Sequence, residues 1–188
     1  MGLFRFLARA TIGILFIGHG TQKLLGWFGG PGPDGTGGFF EALGLRPGRQ
    51  HAIAAGTAEA GGGALLALGL ATPAAAAAIT GVMTTAIRTV HQPNGPWVSE
   101  NGWEYPAVII ATVLAITEVG PGPLSLDAAL GRERSGVGWA LAALAAGVGG
   151  STVLLRDWER PAPAAEEEPA AEAPDEPAPA PEEAQARA

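Results

Sequence analysis

Ala64-Leu65-Leu66-Ala67-Leu68-Gly69-Leu70-Ala71-Thr72-Pro73-Ala74-Ala75-Ala76-Ala77-Ala78 joins two long apolar runs, residues 51–71 and 73–91. The link Gly69–Pro73 is too short to be more than a tight turn, so the two runs must form an antiparallel helical hairpin. Outward from it lie three more apolar runs, at residues 3–25, 104–120 and 137–155. A helix needs about 20 apolar residues to cross a bilayer. Five such segments in 188 residues leave no room for a soluble domain of ordinary size. The mean hydropathy of +0.23 is diluted by a polar tail. The expected fold class is an all-α membrane protein. It comprises a four-helix transmembrane bundle over residues 1–130, an additional transmembrane helix over 131–156, and a disordered Pro/Ala/Glu tail over 157–188.

The first run resembles a signal peptide in its basic start, Arg5 and Arg9. No small-residue cleavage site follows before His19 and Lys23, so it reads as an uncleaved helix. Phe6 stands where a myristoylation signal wants Ser or Thr. Residues 26–50 form the longest loop. Gly29-Gly30-Pro31-Gly32-Pro33-Asp34-Gly35 is turn chemistry, Phe39 to Leu45 suits a short interfacial helix, and Trp27 and Phe28 suit the headgroup belt.

The formal charge of −7 belongs to the tail: residues 161–188 carry eight acids and one arginine, and residues 1–160 carry ten charges of each sign. No basic patch points to nucleic acid. The absence of cysteine excludes disulfides, a thiol relay and cysteine-bound metal. No metal set is legible in three scattered histidines. Arg5, Arg9, Arg132 and Arg134 mark one side, and Arg46, Arg49, Arg156 and Arg160 the other, so positive charge does not set the orientation.

Helices in a serpentine alternate direction, which gathers His19, Gln22, Lys23, Glu59, Arg88, Glu104 and Tyr105 on one membrane face. Intramembrane ionisable groups are rare and point to function. His19, Gln22 and Lys23 share one helical face. Glu59 lies beside Ala55, Gly63 and Ala67, small residues that place it in a helix–helix seam. There it is either protonated or paired with a cation, Arg88 or Lys23. Depth along the hairpin favours Arg88, because the positions differ by three residues in distance from Thr72. Snorkelling accounts equally well for Lys23 or Arg88 taken alone. The opposite face, with Glu118, Asp127 and Arg132-Glu133-Arg134, has much less.

The chain resembles the DoxX family of small bacterial membrane proteins. The resemblance rests on His19-Gly20-Thr21-Gln22-Lys23-Leu24, Trp27-Phe28-Gly29-Gly30, Glu59, Leu68-Gly69-Leu70-Ala71-Thr72, Glu104-Tyr105-Pro106 and Gly120 to Asp127, in order over residues 1–130. It implies a four-helix bundle in a bacterial inner or plasma membrane, with links to redox and sulfur metabolism. Two functional readings follow. In the first, the chain is a membrane subunit or scaffold of an oxidoreductase complex with redox protein partners, linked to quinone or thiosulfate. In the second, it is a binder or permease for a small molecule or anion, using a polar cavity between helices.

Overall fold

The computed structural model describes residues 2–161, and among them the chain is wholly helical with no strand. Seven α-helices follow in order: α1 Leu3–Leu25, α2 Gly32–Ala42, α3 Gly48–Leu68, α4 Thr72–Ala86, α5 Glu104–Val119, α6 Leu126–Ala129 and α7 Val137–Leu154. A π-helical turn, Ile87–His91, continues α4. By length and composition, α1 and α7 are the two described helices that could cross a bilayer unaided. α3 is diluted by Arg49, Glu59 and its glycines, and α5 is short at 16 residues.

The hairpin of α3 and α4 forms as its sequence demands. Gly69 ends α3 at φ 62°, with its own N–H on Leu66 O at 3.0 Å and that of Leu70 on Leu65 O at 2.9 Å. This left-handed stop satisfies carbonyls the helix end would leave open. The antiparallel partner of α3 is α1. A Cβ on Gly13 would come within 2.5 Å of Gly63 O, and one on Gly63 within 2.6 Å of Gly13 O. The two backbones therefore touch, a packing that small residues alone permit. On the other side of α4, Gly147 of α7 lies against Thr80, where an added Cβ would fall 2.7 Å from the threonine Cβ. The glycine that weakens α7 as a lone helix is what lets it dock. Phe16, Leu66, Ile79, Ile109, Val113 and Ile116 fill the core among α1, α3, α4 and α5, and Ala143 brings α7 into it.

Three expectations need correction. The stretch from Gly32 is helix, not turn, and the short helix expected at 39–45 is the end of α2. Pro33 falls in its first turn, where a missing N–H costs nothing, and Asp34 there complements the helix dipole. Second, the stretch Asp157–Pro161, counted as tail, is tethered to the bundle: Trp158 Nε1 donates to Leu43 O at 2.7 Å and Arg160 Nη2 to Arg88 O at 2.6 Å. The disorder expected beyond it falls outside the described residues. Third, the face thought poorer in polar groups carries a dense buried network.

That network starts from Arg9, which is 0% exposed and so does not mark a membrane side. Its Nη1 donates to Leu66 O and Ala67 O, both at 2.9 Å, its Nε to Pro121 O at 3.0 Å, and its Nη2 to Leu124 O. A guanidinium thus caps the last turn of α3, where unpaired carbonyls carry the negative end of the dipole. Asp127, also buried, does the converse for α4. Its carboxylate accepts from Ala71 N at 2.9 Å, Thr72 N at 3.1 Å and Thr72 Oγ1 at 3.0 Å. It holds Ala71 at φ 47°, a left-handed backbone that an alanine seldom adopts.

Candidate functional site

At the other end of the bundle, a cavity of about 570 Å³ opens among α2, α3, α4 and α7. Its size is that of a small-molecule site. Small residues line its walls on three helices: Ala54, Ala55 and Ala58 from α3, Ala77, Ala78 and Gly81 from α4, and Gly147 and Gly150 from α7. Phe39, Phe40 and Leu45 close one end, over the segment that Trp158 pins to Leu43.

The polar point of the cavity is an ion pair, Lys23 Nζ to Glu59 Oε2 at 2.7 Å. The α1–α3 seam makes it. Gly20 abuts Gly56 and Ala60, and this close approach lets the Lys23 side chain reach across to Glu59. The Glu59 side chain is 5% exposed and that of Lys23 is 23% exposed. An ammonium has three donors and a carboxylate about four acceptor positions. Among the described residues, the pair spends one bond on itself and none on other side chains or backbone.

The hydroxyls on the cavity wall are already partnered, within α4 and across to α7. Thr85 Oγ1 lies 2.9 Å from Gly81 O and 3.0 Å from Ser151 Oγ, and Thr89 Oγ1 donates to Thr85 O at 2.9 Å. His51 also lines the cavity, two turns from Glu59 on the same face of α3, about 12 Å along the axis. Its half-buried imidazole makes no hydrogen bond to a described residue. Among the described residues, no three His, Asp or Glu side chains assemble as a metal cluster.

Of the seven residues singled out from sequence, Lys23 and Glu59 meet at the cavity. His19 is exposed, with Nδ1 3.2 Å from Gln22 Oε1, and neither residue lines the cavity. Glu104 opens α5 and Tyr105 beside it is exposed, both away from the cavity wall. The partner expected for Glu59 was Arg88, and this is corrected. Arg88 Nη1 donates to Thr152 Oγ1 on α7 at 3.0 Å. Counting residues from the turn gave the depth of the two positions and said nothing of azimuth. Arg88 sits in the π-helical turn and reaches α7, whereas Lys23 crosses the shorter gap between α1 and α3. His51 and the wall contributed by α7 escaped sequence reading. The spacing of His51 from Glu59, eight residues or two turns, was the available signal.

Residues 4–92 match the DoxX family model. The match covers α1 through the π-helical turn, including Lys23, His51 and Glu59, and leaves α7 outside. No curated protein and no solved structure matches the chain. Over that segment, just under half of the chain, the protein is similar to the DoxX family, which is membrane-associated.

Proposed function

We propose that this is a multi-pass protein of a bacterial inner or plasma membrane that binds a small molecule between its helices. The bundle of residues 3–25, 48–68, 72–91 and 104–119 would span the bilayer, with 137–154 as a fifth span. Outward-facing apolar side chains support the spans: Phe4 is 80% exposed, Ile14 63%, Val108 61% and Val153 75%. A lipid environment covers such surface, whereas water penalises it. The observation that carries the binding reading is the Lys23–Glu59 pair, a buried carboxylate and a partly buried ammonium at a cavity wall with donors and acceptors unspent. A ligand would be held by apolar contact along the alanine walls and oriented by the pair.

The cavity favours binding over a purely scaffolding role. A place in a quinone- or thiosulfate-linked redox assembly is a second proposal that rests on the family resemblance alone. Two experiments test these readings. Reporter fusions at residues 135 and 165 should give opposite signals, and identical signals would remove the fifth span. Protein extracted in polymer-bounded native membrane discs should carry a co-purifying non-phospholipid molecule near one per chain. The Lys23→Met and Ala58→Phe variants should lose it; equal retention by both would overturn the binding reading.

A further inference from the structure

The cavity has an open side. α4 packs along both α3 and α7, and those two do not pack on one another to a comparable extent. α4 is therefore a floor, and the gap between α3 and α7 is a slot lined by Ala54 and Ala58 on one edge and Ala146 and Gly150 on the other. A Cβ on Gly150 would meet nothing within 4 Å, so the slot is clear there. In a protein whose helices cross a bilayer, a slot running between two helices opens onto lipid.

The charge inside this cavity is already balanced, because Glu59 neutralises Lys23 and no other lining residue carries a fixed charge. An anion brought into this apolar wall would have no counter-charge left to meet, and burying an unpaired charge is far costlier than burying a neutral oxygen. A neutral carbonyl or hydroxyl oxygen, by contrast, can take an unspent Lys23 donor without disturbing the pair.

We propose that the ligand is an uncharged, membrane-dissolved molecule with one hydrogen-bond-accepting oxygen on a lipophilic body, and that it enters sideways from the bilayer between α3 and α7. This rests on the reading of the cavity as a ligand site. It deepens that reading by excluding water-borne anions and by naming the way in.

The test uses the full chain in phosphatidylcholine nanodiscs with two radiolabelled probes of equal chain length. Methyl decanoate is uncharged and offers a carbonyl; decanesulfonate is permanently anionic. Methyl decanoate should bind saturably, with affinity falling at least tenfold in Lys23→Met, and decanesulfonate should bind at least tenfold more weakly than the ester. Gly150→Leu should slow uptake of the ester from donor vesicles at least fivefold with an unchanged thermal midpoint. If that variant does not fold, Ala54→Leu on the opposite edge should do the same. Tighter, Lys23-dependent binding of decanesulfonate would overturn the uncharged ligand while keeping the site. Unslowed uptake in a folded slot variant would overturn the lateral route. No saturable binding of either probe would overturn this proposal and the binding reading together.

Discussion

The two ends of the bundle bury charge in opposite ways. At one end Arg9 spends its guanidinium on backbone carbonyls from α3 and from the chain before α6, and Asp127 spends its carboxylate on the start of α4. At the other, Lys23 and Glu59 spend one bond on each other and leave the rest facing a cavity. A buried charge whose hydrogen-bonding capacity is used up by backbone is a fastener. One with capacity to spare beside empty space is a candidate site. Burial alone does not separate the two, since Arg9 and Glu59 are both buried. The accounting of donors and acceptors does.

The contrast breaks most sharply at Arg9. Arg9→Ala should cost roughly 3–5 kcal/mol, because it strands four backbone carbonyls, those of Leu66, Ala67, Pro121 and Leu124, in one step. Thermal unfolding in nanodiscs reads the loss; a midpoint within a degree or two of the native protein would show that the network does not hold the fold.

At the cavity end the expected cost is smaller, because Lys23 is partly exposed and solvent screens it. Lys23→Met and Glu59→Gln should each cost about 1–3 kcal/mol, and the double variant should cost less than the sum. Additive losses would mean that the pair is not coupled.

Ala71→Gly sharpens the comparison from the other direction. Relief of a left-handed alanine should stabilise by about 0.5–1 kcal/mol, since Asp127 still holds the turn. A lower midpoint would mean that the methyl group packs more than the backbone strains.

The smallest effect is expected at Arg88. Its exposed hydrogen bond to Thr152 predicts a change within about 0.5 kcal/mol for Arg88→Gln, with ester binding unaltered. A loss as large as that of Lys23→Met would restore Arg88 to the site.

What the sequence determined by itself was local and periodic. Apolar runs of near-spanning length and the short link at Gly69–Pro73 dictated a helical hairpin within an all-helical chain. Small residues at spacing four dictated a close seam, and a carboxylate among them had either to be protonated or to find a cation. Which cation, and which arginine was a fastener, depended on azimuth and on contacts more than a hundred residues apart, such as Arg9 with Pro121. Periodicity carries rotation about one helix axis and says nothing of how two axes are turned toward each other. Only packing fixed that: glycine against glycine turned α1 so that Lys23 met Glu59, and Gly147 set α7 beside α4 to make the cavity's second wall.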